Sequence, residues 1–275
     1  MPMRIIVTGC SSGFGKLIAY GFARQGWDVL ATTRSPAGLA DAPANLHVMT
    51  ANVAAAEGRA AIAAHVRSNW GDRLDCLVNN AGFGLNGPFE GLSEEQIRRQ
   101  FDVNVFAPML LTKDLLPALR AAKGKVINLS SVLGYTGMPL TSLYVSSKFA
   151  LEGWSESLHY ELQPQGVQVA LVEPGGFRTD FAKNVEWPAT VPGAGVYDRQ
   201  LDSFRNFFAT RMQSGKGANP AAVAEAVLRL AKTANMPLRT RVGADAQGLY
   251  YLRRIVPQRL VDTILRRVSR RLMGG

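Results

Sequence analysis

Short runs of apolar and β-branched residues alternate along this chain with longer stretches in which apolar positions recur every third or fourth residue. The runs at 4–8, 28–33, 46–50, 74–79, 125–130, 167–173 and 239–243 read as strands, and the periodic stretches between them as helices. Phe14, Leu17, Ile18 and Phe22 take helical spacing after the first run, and the alanine-rich stretch 54–70 suits a helix. Ser93 is placed as an N-cap with Glu94 and Glu95 in the first turn, opening helices that reach about residue 121. Ser142 is placed as the cap of a helix whose Leu151, Trp154, Leu158 and Leu162 form a core-facing stripe. Pro220, after Asn219, is placed at the first position of another. Strands alternating with helices predict right-handed crossovers and a parallel sheet, and unbroken apolar strands predict a sheet covered on both faces. The fold class is therefore α/β: a single doubly wound domain over residues 1–245 with a C-terminal helical extension over 246–275. Ligands of such a sheet sit beyond the carboxyl ends of its strands.

Composition narrows the class. A chain of 275 residues, 47% hydrophobic, is long enough to bury a large core as one soluble domain. Its two cysteines, Cys10 and Cys76, are too few for a disulfide framework and suit a reducing cytoplasm. The opening M-P-M-R-I-I-V-T-G reads as a first strand running into a glycine turn, not as a signal peptide. No apolar run approaches the roughly 20 residues of a membrane-spanning helix. The net charge of +10 invites an acidic partner, but the excess is concentrated. The tail carries Arg253, Arg254, Arg259, Arg266, Arg267, Arg270 and Arg271, with Asp262 as the only acid among them. That distribution argues against a nucleic-acid binder. Interleaved with Leu252, Ile255, Val256, Leu260, Val261, Ile264, Leu265 and Val268, it describes a basic amphipathic helix, which either packs on its own domain or lies on an anionic membrane. The expected location is cytoplasmic, with membrane-surface contact as an added candidate.

Two stretches carry chemistry. T-G-C-S-S-G-F-G, residues 8–15, follows a strand and opens a helix, the context a dinucleotide loop requires. Gly9 permits a tight turn, and Gly13 and Gly15 let backbone and pyrophosphate approach at a helix N-terminus, where amide donors favour anions. This makes the fold Rossmann-type. At the end of the second strand, A-T-T-R lacks the acid that holds the ribose hydroxyls in NAD-binding members of the fold. Arg34, with Thr33 and Ser35, suits a 2′-phosphate instead, so NADP(H) is favoured over NAD(H). The second stretch is Y-V-S-S-K, residues 144–148. On a helix it sets the Tyr144 phenol beside the Lys148 ammonium, which favours the phenolate and suits proton exchange with a substrate oxygen.

With these motifs the chain resembles the short-chain dehydrogenase/reductase family over residues 4–180. N-N-A-G at 79–82 is similar to the family's fourth-strand motif, Asn104 to its catalytic asparagine, Ser131, thirteen positions before Tyr144, to its catalytic serine, and Pro174, Gly175 and Thr179 to the motif after its sixth strand. The tail segment R-T-R-V-G-A-D-A resembles the branch of 17β-hydroxysteroid and retinol dehydrogenases. The resemblance implies a metal-free, reversible oxidation of an alcohol to a carbonyl. Tyr144 is then the acid/base, Lys148 lowers its pKa and binds the nicotinamide ribose, Ser131 holds the substrate oxygen, and Asn104 holds a water linking Lys148 to solvent. Thr8, Gly9, Ser11, Ser12, Gly13, Phe14 and Gly15 then cradle the dinucleotide. Thr33, Arg34, Asn52 and Val53 flank its adenosine half, and Asn80, Ala81, Gly82, Pro174, Gly175, Phe177 and Thr179 complete the site with Tyr144 and Lys148. Two positions depart from the family pattern: Asn52 stands where Asp is frequent, and Ser12 where many NADP-dependent members carry a basic residue. The resemblance also implies a homo-oligomer, dimer or tetramer.

Residues 181–217 do not look like sheet and include Trp187, Pro188, Pro192, Gly193, Gly195, Tyr197, Phe204, Phe207 and Phe208. This reads as a lid that, with Leu133, Tyr135 and Phe177, forms an apolar pocket for a bulky hydrophobic alcohol or ketone, or that packs on the sheet or on a subunit partner. The competing readings are a dinucleotide-binding sensor without turnover and a membrane-surface binder using the tail. His47, His65 and His159 have no metal spacing.

Overall fold

The computed structural model describes residues 2–179, 181, 184–188, 195–213 and 218–274, with the side chains of 208 and 211–213 left aside. The strands are β1 (Arg4–Val7), β2 (Asp28–Thr33), β3 (Leu46–Thr50), β4 (Cys76–Asn79), β5 (Gly84–Leu85), β6 (Lys125–Leu129), β7 (Gln168–Pro174), β8 (Val185–Glu186) and β9 (Arg239–Val242). The helices are α1 (Gly13–Arg24), α2 (Ala56–Trp70), α3 (Glu94–Phe101), α4 (Ala107–Ala122), α5 (Ser142–Leu162), α6 (Asp198–Gln213), α7 (Ala221–Lys232), α8 (Ala244–Ile255) and α9 (Gln258–Leu272). Seven strands form one sheet in the order β3-β2-β1-β4-β6-β7-β9, every pair parallel. This is the doubly wound, Rossmann-type arrangement expected from the alternation of periods.

Each strand feeds two cores because side chains alternate faces. Ile5, Val7, Val29, Ala31 and Val78 join Ile18 and Phe22 of α1 and Val223, Val227 and Leu230 of α7. Ile6, Leu30, Leu77 and Val126 join Ile62 and Trp70 of α2, Leu111 and Leu115 of α4, and Leu158 and Leu162 of α5. Leu151 is buried and Trp154 packs against this second core, as the helical stripe predicts.

Several local expectations are corrected. Ser93 caps α3 in a full capping box with Gln96, as expected, but the helix from 93 to 121 is interrupted by a π turn at Asp102–Phe106. Pro108 cannot donate the bond that Asn104's carbonyl would normally accept, so the regular ladder fails at that point. Ser142 is the first residue of α5 rather than its cap; Thr141 stands at the N-cap and its hydroxyl donates to the Met138 carbonyl instead. Pro220 is itself the N-cap residue of α7, and Asn219 Oδ1 accepts from the Ala221 amide. The stretch 181–217 holds the two-residue strand β8, paired with β5, and the helix α6. Pro192 and Gly193 lie outside the described residues. The tail forms two helices, because Pro257 forces Val256 into an extended conformation (φ −84°, ψ 135°) between them.

Candidate active site

The order of strands reverses between β1 and β4: β2 and β3 lie on one side, β6, β7 and β9 on the other. A crevice at the carboxyl ends of these two strands is where such sheets take ligands. Here the glycine loop leaves β1 and N-N-A-G leaves β4. Thr8 Oγ1 accepts from the amides of Asn80 and Ala81, each at 3.0 Å. Asn80 Nδ2 donates back to the carbonyls of Thr8 (2.8 Å) and Gly9 (3.0 Å). The Asn80 side chain thus braces the loop. Asn79 serves the core, donating to Asn128 Oδ1 at 2.8 Å and Thr112 Oγ1 at 3.1 Å.

Two glycines are required by space. A Cβ on Gly9, where φ is +72°, would lie 2.7 Å from Ala81 Cα, and one on Gly15 would lie 2.3 Å from the Gly9 carbonyl oxygen. α1 then begins at Gly13 with no side-chain cap from Ser12, so its first amides have no side-chain acceptor there. That cradle fits a pyrophosphate. Ser11 is exposed beside it. The segment after β7 folds over the loop: Phe177 packs edge-on against Phe14, centroids 5.7 Å apart, and Thr179 Cβ stands 3.6 Å from where a Gly13 side chain would begin. Asp245, absent from the expected site, shapes this segment. Its Oδ2 accepts from the Gly176 amide at 2.7 Å, and a Cβ on Gly175 would strike Oδ1.

At the end of β2, the Thr33 hydroxyl donates to the Ser35 carbonyl (2.8 Å) and accepts from the Ser35 amide (3.1 Å), closing the turn that carries Arg34. Arg34 is exposed and no carboxylate stands in 31–35. The nearby Asp41 is engaged by the Tyr20 hydroxyl at 2.5 Å and by Lys16. Asn52 is exposed, its Oδ1 accepting from the Ala54 amide, and Val53 is buried beneath it.

Tyr144, Lys148, Ser131 and Asn104 converge. Lys148 is buried, its Nζ donating to the Leu129 carbonyl at 2.7 Å and standing 5.7 Å from the centre of the Tyr144 ring. Ser131 opens the turn after β6, accepting from the Leu133 amide, and its hydroxyl reaches the Tyr144 phenol. Asn104, on the π turn, clamps both the amide and the carbonyl of Phe83, at 3.1 and 3.0 Å, and donates to Ser147 Oγ at 3.2 Å. Ser147 in turn donates to the Tyr144 carbonyl at 2.7 Å.

The electrostatics depart from expectation. Burial pushes the Tyr144 phenol up to about 12, opposed by Ser131 and not by Lys148. Burial also draws Lys148 down to about 8, with Glu152 opposing. The lysine ammonium is turned to a carbonyl and burial is the largest influence on the phenol, so the expected lowering of the Tyr144 pKa is absent from this state.

The aromatics of residues 181–217 divide. Phe181 packs on Tyr144 with centroids 5.7 Å apart, whereas Phe204 is fully buried with Leu140 and Leu201, covered by Trp187, Tyr197 and Met273. Tyr135 donates to the Ala246 carbonyl at 3.0 Å. His47 faces Asp28, and His159 donates to the Val169 carbonyl, both away from the site. The Cys10 thiol is buried, donating to the Val7 carbonyl, and burial raises its pKa. Among the described residues no group of three or more His, Cys, Asp or Glu side chains is placed to hold a metal.

Known proteins give the same picture. The chain is 34% identical over 251 residues to the 3-ketodihydrosphingosine reductase of Bacteroides thetaiotaomicron, covering 90% of this chain and 91% of that one. It is 33% identical over 269 residues to retinol dehydrogenase 8 of Bos taurus, covering 93% and 86%. A solved short-chain dehydrogenase from Streptomyces avermitilis superposes with a TM-score of 0.83 at 34% identity, covering 98% of each chain. The family model for short chain dehydrogenases matches residues 3–188, and with it the chain belongs to the short-chain dehydrogenase/reductase family of NAD(P)-dependent oxidoreductases.

Proposed function

We propose that this oxidoreductase uses NADP(H) to interconvert a hydrophobic secondary alcohol and its ketone, or an aldehyde. The observation that carries the reading is the convergence of the Tyr144 phenol, the Ser131 hydroxyl and the Lys148 ammonium beside the glycine loop. When bound, the nicotinamide supplies or accepts the hydride. In reduction Tyr144 gives its proton to the substrate oxygen, a role suited to a phenol that burial keeps protonated. Ser131 donates a hydrogen bond to the same oxygen and steadies its developing charge. Lys148 holds the nicotinamide ribose and supports the phenolate left behind, and Asn104 fixes the Phe83 backbone and α5 around them. In oxidation the proton must first leave Tyr144, so that direction gains rate as pH rises. The glycine cradle takes the pyrophosphate. Arg34 meets the 2′-phosphate through charge-assisted bonds, and the absence of an acid in 31–35 leaves NAD(H) without its usual ribose anchor. An apolar substrate is supported by Phe181 against Tyr144 and by relatives named for a retinol and for a ketodihydrosphingosine.

Two partner surfaces belong to this reading. Phe106, Leu110 and Phe149 are exposed on neighbouring α4 and α5 and their approach, which supports a homo-oligomer, dimer or tetramer, built on those helices. On the tail, Tyr251, Ile255, Leu260, Ile264 and Val268 are exposed among Arg254, Arg259, Arg266, Arg267, Arg270 and Arg271, while Val261 is buried. No helix among the described residues is long and apolar enough to cross a membrane. A surface contact with anionic lipid, from a cytoplasmic location, fits that mixed face.

Tyr144→Phe is expected to lower kcat by at least about a hundredfold while NADPH still quenches or enhances its fluorescence on binding; near-normal turnover removes the acid/base role. Arg34→Ala should reduce the ratio of kcat/KM for NADPH over NADH by about tenfold to a hundredfold, and a wild-type enzyme that prefers NADH overturns the cofactor assignment. Phe149→Glu should shift the mass measured by light scattering toward the monomer; a monomeric wild type dismisses the oligomer. Co-sedimentation with phosphatidylserine vesicles should be lost in Leu260→Gln/Ile264→Gln/Val268→Gln, and a wild type that stays in the supernatant rules out the lipid contact.

A further inference from the structure

Tyr144, Lys148 and Glu152 stand at intervals of four on α5 and so line one face of the helix. The first two belong to the proposed chemistry. The third is a carboxylate that is only 6% exposed, an expensive place for a charge. Its Oε2 accepts from Arg239 Nε of β9 at 2.9 Å. Its Oε1 is buried with no hydrogen-bond partner of good geometry, as is the Ser130 hydroxyl facing it. A Cβ on Gly134 would lie 2.8 Å from both Glu152 Cγ and Ser130 Oγ, so the turn that follows Ser131 is pressed directly onto this carboxylate. Glu152 therefore touches the two structures that set the reaction geometry: the helix of Tyr144 and Lys148, and the turn of Ser131.

We propose that Glu152, clamped by Arg239 one helical turn from Lys148 and pressed on the turn of Ser131, is a positioning residue for the Lys148 ammonium behind Tyr144. The inference rests on the roles given above to Tyr144 and Lys148. The titratable groups around Glu152 come from several elements, and Tyr135, on the turn after β6, also feels its charge. Lys148 and Glu156 share its helix, and Ser130 lies at the end of β6. Fully buried Glu173 stands on β7, 3.4 Å from Arg239 Nε, and Arg239 also reaches Glu156 at 2.8 Å. Arg241 pairs with Glu173 at 3.0 Å, its guanidinium stacked over the Tyr250 ring of α8.

Within this set the division of charge is asymmetric. Glu173 is raised to about 7, by burial first and then by the like charge of Glu152. Burial raises Glu152 as well, but Ser130, Arg239 and Lys148 all oppose it. The Arg239 pair at 2.9 Å and the lysine one turn away both favour the anion on Glu152. For Lys148 it is the group that opposes desolvation. Buried ion pairs add little net stability against apolar replacements of the same size, so a cluster of this cost is better explained by the lysine it holds than by folding.

The test is the pH profile of kcat/KM in the oxidative direction for Glu152→Gln, which keeps shape and removes charge. Without the anion Lys148 loses its proton more easily, the phenolate loses a cation, and the rising limb of the profile should move to higher pH by about one unit. A role confined to folding would lower the melting temperature and the active fraction and leave the limb where it was; that result overturns the proposal. Glu156→Gln removes the exposed contact to Arg239 and should not move the limb. If Glu152→Gln does not fold, Glu152→Asp carries the test: it retains the charge but withdraws it, and should shift the limb in the same direction by less, an unshifted limb again overturning the proposal. Tyr144→Phe in the same assay separates the two claims, since a dead Tyr144→Phe with an unshifted Glu152→Gln rejects the positioning role alone.

Discussion

The structure depends on how closely two parallel strands bring their ends together. β1 and β4 are neighbours at the point where the sheet reverses, with Val7 beside Val78. Beyond that pair the chain must turn twice in almost no space. Thr8 and Asn80 lock the two turns by four reciprocal hydrogen bonds, and Gly9 and Gly15 are present because any side chain there would occupy backbone already in place. An anion cradle results because the helix that follows starts without a side-chain cap. The same reversal sends β6 and β7 to the far side, so Ser131 and the segment at Gly175 arrive from that side on the same rim.

Desolvation decides the chemistry on that rim. A phenol and an amine one helical turn apart look in sequence like a mutually tuned pair. In the folded chain both lose water, and that loss dominates: the phenol rises to about 12 while the amine falls to about 8. Each shift disfavours the charged form. Under the proposed chemistry that state suits proton donation, and the ionised phenol would need further support from groups that hold the lysine's charge. That need gives meaning to a carboxylate set one turn further along the helix.

Much of this was legible in the chain because it is local. The strands follow from β-branched runs, the cradle from three glycines between a strand and a helix, and Ser131 from its spacing to Tyr144, which selected it over Ser130. In the folded chain Ser131 reaches the phenol and Ser130 faces Glu152. What was not legible depends on contacts far apart in sequence. Asp245 shapes the turn at Gly175 only because β9 pairs with β7. Arg239 meets Glu152 across 87 positions for the same reason. The π turn was hidden because Val103, Val105 and Phe106 continue a helical pattern whose hydrogen-bond ladder fails for lack of one donor at Pro108. The tail read as a single helix because its apolar spacing persists across Pro257, where the backbone does not.

The lid shows how these distant contacts bear on function. Its aromatics read in sequence either as a pocket lining or as packing on the sheet or a partner; Phe204 is fully buried with Leu140 and Leu201, its ring edge-on to Trp187. Met273, at the end of α9, packs on the same cluster, and Gln96 of α3 donates to the Trp187 carbonyl. Arg99 of α3 pairs with Glu186 of β8, whose strand partner β5 leads out of the turn that Asn104 clamps. Leu201, Phe204 and Trp187 are thus tied on one side to α3, which leads into the turn of Asn104, and on the other to the basic tail. Phe181, near the start of the segment, packs on the Tyr144 ring, while Met273, Gln96 and Arg99 tie 186–204 to α9 and α3 through side chains rather than through loop backbone alone.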